Sequence, residues 1–211
     1  DKNSVNRNDF TLTPLAESEE NFTLIAIGDP QCSTEKQVGR YQDETISDIS
    51  STISSSQAAG KYKNAYAVTL GDIVHDTPNL WEAMKATMEN VSIGGGKYLP
   101  ICQCIGNHDH NAKATTDMTA TTEYVDRYGP TDYSFNRGKV HIVVMDNIVC
   151  TETDSKSWDY DAGFSKAQFK WLQEDLAAVD DKEDKMLILC CHIPFRSGAE
   201  SGGASMNKDK Y

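Results

Sequence analysis

The sequence contains no long apolar run, and positively charged residues are in the minority. No stretch of its 211 residues approaches the roughly 18 consecutive apolar residues of a bilayer-spanning helix, so we expect no transmembrane segment. Lysine and arginine number 20 against 32 aspartate and glutamate residues, which gives a net charge of −12. Nucleic acids are bound by basic surfaces, and we therefore expect no nucleic-acid partner.

Several motifs that mark common enzyme classes are also missing. The sequence has no G-x-G-x-x-G, no P-loop and no G-x-S-x-G, which argues against nucleotide enzymes of those types and against a serine hydrolase. Its six cysteines form no C-x-x-C pair, and their spacing matches no zinc ribbon. Cys102, Cys104, Cys190 and Cys191 lie inside apolar runs, where cysteine behaves as a small hydrophobe, so we expect free thiols in the core.

Short apolar segments alternate with helix-like segments, which predicts an α/β fold. Segments with strand character cover residues 23–27, 65–70, 99–105, 139–145 and 186–191. Helical periodicity or N-capping signals predict helices over residues 35–59, 77–91, 117–127 and 165–179. Near-continuous apolar strands between helices indicate a sheet that is buried on both faces. We expect residues 151–163 to form a polar loop.

Polar clusters follow the ends of these strand-like segments. The clusters are Gly28-Asp29-Pro30-Gln31, Gly71-Asp72, Gly106-Asn107-His108-Asp109-His110, Asp146-Asn147 and His192-Ile193-Pro194. Ligands of α/β folds bind outside the carboxyl ends of the strands, so clusters on neighbouring strands converge in space. Oxygen donors combined with imidazole suit Mn, Fe, Mg or Zn. Each cluster taken alone is also compatible with a turn or a structural histidine, but together they predict a metal site.

The order of the clusters resembles that of the calcineurin-like metallophosphoesterases. That family has, in order, Asp-x-His, Gly-Asp, Gly-Asn-His-Asp/Glu, a single His and Gly-His-x-His. Asp29-Pro30-Gln31, Gly71-Asp72, Gly106-Asn107-His108-Asp109 and His192 match the first four over residues 22–211. The Asp-Pro-Gln form resembles a branch whose exported bacterial members often have extra domains flanking the core.

The resemblance implies a fold, a reaction and a set of metal ligands. The fold is two facing mixed β-sheets flanked by helices. The reaction is hydrolysis of a phosphate ester with two divalent metal ions (Mn, Fe, Zn or Mg) and a metal-bound hydroxide. Asp29 and Gln31 would bind the first metal, Asp72 would bridge both, and Asn107 and His192 would bind the second.

The resemblance also implies a catalytic pair. His108, held by Asp109, would protonate the leaving oxygen or stabilise the transition state. We expect four further residues close to the site, behind the ligands or beside the substrate: His75, His110, Cys32 and Arg196.

The sequence departs from the family pattern at two points. Gln31 stands where many members have histidine, and from its weaker amide oxygen we expect looser binding of that metal and more tolerance of Mn or Mg. No Gly-His pair occurs, so Gly-His-x-His is not present. Residues 1–21 are polar and acidic and show no periodicity, so we expect them to be a linker or the end of an upstream region. Residues 22–211 would be the N-terminal and central part of a core that is incomplete at its C-terminus, with the missing part of the same protein as a partner.

Two interpretations of function stay open at this point. The first is a phosphoesterase that acts on a phosphorylated small molecule or another phosphoester, with monoesters and diesters both allowed. The alternative is a non-catalytic or inactive metallophosphoesterase-like binding module or fragment, since both share one fold. The resemblance favours an exported, periplasmic or cell-envelope location, while free cysteines favour the cytoplasm as the alternative.

Overall fold

The computed structural model describes residues 19–61, 64–152 and 158–194, and these contain eight strands. In chain order the strands are β1 (Phe22–Ile27), β2 (Asn64–Thr69), β3 (Ile101–Cys102), β4 (Tyr133–Arg137), β5 (Val140–Val144), β6 (Ile148–Glu152), β7 (Trp158–Ala162) and β8 (Met186–Cys190). The first sheet has the order β1-β2-β3 and is parallel throughout, whereas the second has the order β4-β5-β8 and is mixed. Within the described residues, the first sheet contains only parallel pairs, and the second contains both kinds. Parallel pairing brings the carboxyl ends of β1, β2 and β3 to one edge.

Six α-helices occur in the described residues. They are α1 (Glu35–Arg40), α2 (Ser47–Ala58), α3 (Trp81–Met88), α4 (Asp117–Ala120), α5 (Thr122–Tyr128) and α6 (Lys166–Ala178). A π-helical segment, Tyr41–Ile46, joins α1 to α2, which confirms the single helical stretch predicted over 35–59. Within the described part of the chain, no helix is both long and apolar enough to cross a bilayer.

The two sheets pack face to face, and helices cover their outer faces. Val68, Ile142 and Val144 meet in the apolar layer between the sheets. Ala65 and Ala67, on the other face of β2, pack against the cluster that α1 to α3 cover. The outer face of the second sheet lies beneath α6. This is the two-sheet sandwich with outer helices that the sequence predicts, and the continuous apolar runs follow from burial of both faces.

The predicted free thiols are confirmed. All six cysteines are free, with Cys104 and Cys190 buried and Cys102 and Cys191 half-buried. Burial raises the pKa of each of these four thiols. They therefore act as small apolar side chains of the core.

The start of α6 follows from local signals in the sequence. The hydroxyl oxygen of Ser165 accepts a hydrogen bond from the backbone N–H of Gln168, and the side-chain oxygen of Gln168 accepts one from the backbone N–H of Ser165. The rings of Phe164 and Phe169 meet edge to face at 5.6 Å, as a hydrophobic staple requires. The predicted capping box is confirmed.

Two of the predicted elements are wrong in extent. The strand expected over 99–105 is only Ile101–Cys102, because the backbone N–H of Cys104 donates to the hydroxyl of Thr69 at 3.0 Å instead of continuing the ladder. The polar loop expected over 151–163 instead overlaps an antiparallel hairpin of β6 and β7. Ile148 and Ala162 of this hairpin pack with Ile193, and this tertiary contact has no signal in the local sequence.

Candidate metal centre

Four loops that follow strands bring the five predicted metal ligands together. Asp29 and Gln31 follow β1, Asp72 follows β2, Asn107 follows β3 and His192 follows β8. His192 lies among the others, with Nε2 3.0 Å from Asn107 Oδ1 and 3.5 Å from Asp72 Oδ1, and Nδ1 3.6 Å from Asp29 Oδ1. Nε2 of Gln31 donates to Asp72 Oδ2 at 2.8 Å. Asp72 is buried, while the Asp29 side chain is 58% exposed, so the cluster opens to solvent on the Asp29 side.

The atoms that face one another in this cluster are mainly acceptors. Nδ1 of His192 lies 2.8 Å from the carbonyl oxygen of Leu70. When Nδ1 donates a hydrogen bond to that oxygen, the lone pair of the neutral ring is on Nε2. Nε2 then faces the amide oxygen of Asn107 and a carboxylate oxygen of Asp72. Ligands about 2.1 Å from one metal ion lie about 3.0 to 3.4 Å apart, which the observed spacings of 3.0 and 3.5 Å match. The donor set therefore fits a divalent cation among these three atoms.

Two glycines allow the ligand-bearing loops to approach this closely. Gly71 has a φ of +93°, and a Cβ atom there would lie 2.6 Å from Nδ1 of His192 and 2.8 Å from Cα of Gly106. A Cβ atom on Gly106 would collide with the backbone and carboxylate of Asp72. Side chains at these positions would force the ligands apart.

Several site residues have a left-handed backbone, which non-glycine residues rarely adopt. They are Asp29 (φ 26°), Gln31 (φ 45°), Asp72 (φ 51°) and Asp76 (φ 52°). The backbone N–H of Gln31 donates to the carbonyl oxygen of Asp72 at 2.7 Å, which connects the loop after β1 to the loop after β2. Such conformations cost on the order of 1–3 kcal/mol each and concentrate at functional sites. The sequence carries no direct signal for them.

A family model for calcineurin-like phosphoesterases matches residues 22–209, a range that includes every residue of this cluster. The chain belongs to the calcineurin-like phosphoesterase family. Membership makes metal-dependent hydrolysis of phosphoesters its class of reaction and divalent metal ions its cofactors. A comparison with curated proteins found no match.

In this calcineurin-like phosphoesterase, His108 pairs with Asp76 and not with Asp109. Nδ1 of His108 lies 3.0 Å from Asp76 Oδ2, and its ring stacks on that of His75 with centroids 4.1 Å apart. The prediction that Asp109 holds His108 is wrong, because the tight turn Asn107–Asp109 sends the two side chains in different directions. Sequence analysis missed Asp76, although a carboxylate four residues after Asp72 in the same loop was a usable signal.

Asp109 instead joins two loops of the phosphoesterase site. Its buried carboxylate accepts backbone N–H groups from Val74 at 3.0 Å and from Gly106 at 2.9 Å. Burial raises the pKa of Asp109 to about 7, against the opposing effect of the backbone donors. These bonds connect the loop after β2, which carries Asp72, to the loop after β3, which carries Asn107. Asp109 therefore holds these two loops next to each other.

His110 connects the loop after β3 to the end of β5. Its Nδ1 lies 2.8 Å from the carbonyl oxygen of Gly106, and its Nε2 lies 3.2 Å from Asp146 Oδ2. Burial lowers the pKa of His110, but the hydrogen bond and charge of Asp146 outweigh burial and raise the pKa above its ordinary value. Both ring nitrogens face acceptors, as suits an imidazolium.

Asn147 supports the segment that carries His192. Its amide group donates to the carbonyl oxygen of Ile193 at 2.7 Å and accepts the backbone N–H of Ile193 at 3.1 Å. This two-point contact determines where the chain runs directly after His192. The sequence placed Asn147 in a polar cluster but offered no reason for its role.

The remaining predicted residues have different positions. Cys32 is buried, its thiol lies 3.6 Å from the carbonyl oxygen of Pro30, and burial raises its pKa, which disfavours a reactive thiolate. His75 is exposed and contacts His108, as described above. Arg196 lies outside the described residues, as do residues 1–18 of the predicted linker.

Proposed function

We propose that the chain hydrolyses a phosphate ester at a centre of two divalent metal ions held by Asp29, Gln31, Asp72, Asn107 and His192. The observation that carries the proposal is the spacing of His192 Nε2 from Asn107 Oδ1 and Asp72 Oδ1, 3.0 and 3.5 Å. These distances suit ligands of one cation. When His192 is neutral and donates from Nδ1, none of the three atoms is a hydrogen-bond donor.

The orientation of the Asp72 carboxylate supports its role as the bridging ligand. Its Oδ1 faces His192 and the backbone N–H of His108, whereas its Oδ2 faces the amide of Gln31. The two oxygens are thus directed to opposite halves of the ligand set. One carboxylate between the halves would hold two ions at a constant separation.

Two ions bound here would polarise the phosphoryl oxygens and generate a nucleophile from water at neutral pH. The chain's own contribution to the leaving-group step is His108. Its backbone N–H donates to Asp72 Oδ1 at 3.0 Å, which keeps the residue next to the bridging ligand. Asp76 contacts Nδ1, so Nε2 is the nitrogen that would donate a proton to the leaving oxygen.

The test combines metal content with hydrolysis of a phosphomonoester and a phosphodiester, p-nitrophenyl phosphate and bis-p-nitrophenyl phosphate, in Mn²⁺, Zn²⁺ and Mg²⁺. We expect about two ions per chain and hydrolysis that depends on them. Asp72→Asn should lose both, whereas Asp48→Asn, which changes an exposed carboxylate on α2, should lose neither.

Three results would contradict the proposal. Hydrolysis that survives in metal-free Asp72→Asn protein would mean that the activity does not come from this centre. Two bound ions with no hydrolysis of either ester, or no bound ions at all, would favour the alternative of a phosphoesterase-like module without activity.

A further inference from the structure

A second group of metal-ligating side chains lies beside the proposed centre. His75, Asp76 and His108 each offer one ligand atom, and the three atoms lie within 4.8 Å of one another. None of these residues belongs to the five proposed ligands of the two-metal centre. We propose that this triad binds one further transition-metal ion of the zinc type, and that the ion inhibits hydrolysis by occupying His108. The inhibition, but not the binding, rests on the proposed function.

The donor set of the triad differs in kind from that of the main centre. Two imidazoles and one carboxylate form a set that zinc favours in open sites, with further positions left for water. The main centre has one imidazole among oxygen donors, which suits harder ions such as Mn²⁺ or Mg²⁺. Zinc should therefore occupy the triad under conditions in which Mg²⁺ does not.

The three side chains are held near one another without any ion. Asp76 Oδ2 already lies 3.0 Å from His108 Nδ1, and the rings of His75 and His108 are stacked with an interplanar angle of 30°. The backbone N–H of Asp76 donates to the carbonyl oxygen of His108 at 3.3 Å, and that of His75 donates to the carbonyl oxygen of Cys32 at 3.1 Å. The three ligand atoms therefore lie close together before any ion is bound.

Solvent reaches the triad directly. His75 and Asp76 are exposed, and the side chain of His108 is 26% exposed. Asp76 and His108 also line a cavity of about 210 Å³ that extends toward Pro78 and Trp81. An ion can therefore enter and leave without opening the core.

Occupation of the triad would disturb the proton donor. The ion would take the place of the proton between His108 Nδ1 and Asp76, and that proton would go to solvent. With the ion on Nδ1, His108 would be held by the ion in place of its contact with Asp76, and the leaving-group step would lose the geometry that this contact provides. The two-metal centre would stay loaded while the leaving-group step slows.

The experiment compares wild-type protein with His75→Ala, which removes one ligand of the triad and none of the main centre. Both proteins are equilibrated with Mn²⁺, titrated with Zn²⁺ and examined for bound zinc and for hydrolysis. We expect wild type to bind one more zinc than His75→Ala. Half-inhibition of His75→Ala should need at least about tenfold more Zn²⁺ than half-inhibition of the wild type. Tenfold is the smallest loss of metal affinity that is typical when a residue that only orients a ligand is replaced. His75→Asp, which returns a ligand, should move sensitivity back toward wild type.

Equal zinc counts in wild type and His75→Ala would overturn the site, and equal zinc sensitivity would overturn the inhibition. If the wild type carries the additional zinc but hydrolyses no ester in any metal, the triad stands as a metal site. The inhibition then falls together with the proposed function, so the two failures are distinguishable.

Discussion

The ring of His192 lies directly against Gly71, where a Cβ atom would come within 2.6 Å of Nδ1. The same nitrogen lies 2.8 Å from the carbonyl oxygen of Leu70, the residue before Gly71. The position of this histidine therefore depends on a glycine 121 residues away in the chain. Its Nε2 can face Asn107 and Asp72 only while Gly71 has no side chain.

Gly71→Ala should displace His192 and weaken metal binding. The added methyl group meets the ring in a well-packed site, and the positive φ adds strain, so we expect the free energy of unfolding to fall by roughly 1–3 kcal/mol. Bound metal should fall as well, measured by mass spectrometry of the purified protein. Gly129→Ala is the matched control, because Gly129 has a φ of +90° and a Cβ atom added there would meet no atom within 4 Å. If both variants keep full metal content, the proposed role of the contact is wrong.

Asp76→Asn should lower the rate of hydrolysis without removing the two-metal centre. Asparagine keeps the shape of Asp76 but not the carboxylate that contacts Nδ1 of His108. Loss of a general acid typically costs about 10²- to 10⁴-fold, which is the range we expect for His108→Ala, with a smaller loss for Asp76→Asn. The measurement is kcat together with metal content. The pairing would be refuted by an Asp76→Asn enzyme with wild-type kcat at every pH.

Asp109→Asn should behave differently from Asp76→Asn. Replacing one carboxylate oxygen by an NH₂ group sets a donor against the backbone N–H of Val74 or Gly106 and leaves a buried mismatch. We expect the free energy of unfolding to fall by about 1–3 kcal/mol, measured by urea denaturation. A lower kcat at unchanged stability and metal content would instead indicate a direct catalytic role, contrary to the buried position of Asp109.

The His110–Asp146 pair should make stability depend on pH. The pKa of His110 in the folded protein is raised above its ordinary value of 6.5, so folding favours the protonated form. The resulting stabilisation is complete below pH 6.5 and is lost as the pH rises through the raised pKa of the folded protein. The difference in the free energy of unfolding between wild type and His110→Gln should therefore shrink from pH 6 toward pH 9.

Asp146→Asn provides the control for that pH dependence. Without the carboxylate, burial is the main influence left on His110 and lowers its pKa, so the dependence should weaken or change sign. A pH dependence that is the same with and without Asp146 would show that another group is responsible.

Local patterns in the sequence predicted some elements correctly and placed the polar clusters after the strands. The capping box at Ser165 and the long helix after Thr34 depend on residues a few positions apart, and both are found in the structure. Asp29, Asp72 and Asn107 could be selected because each follows an apolar strand, and the ends of parallel strands meet at one edge.

Only the tertiary structure decided which side chains touch. The sequence did not decide between Asp76 and Asp109 as the partner of His108, because the direction of each side chain depends on the turn that contains His108 and Asp109. Asn147 contacts Ile193 across 46 positions, and Gly71 and Gly106 meet where two loops cross. Sequence periodicity reports burial and backbone geometry within one element, whereas these contacts depend on how separate loops pack.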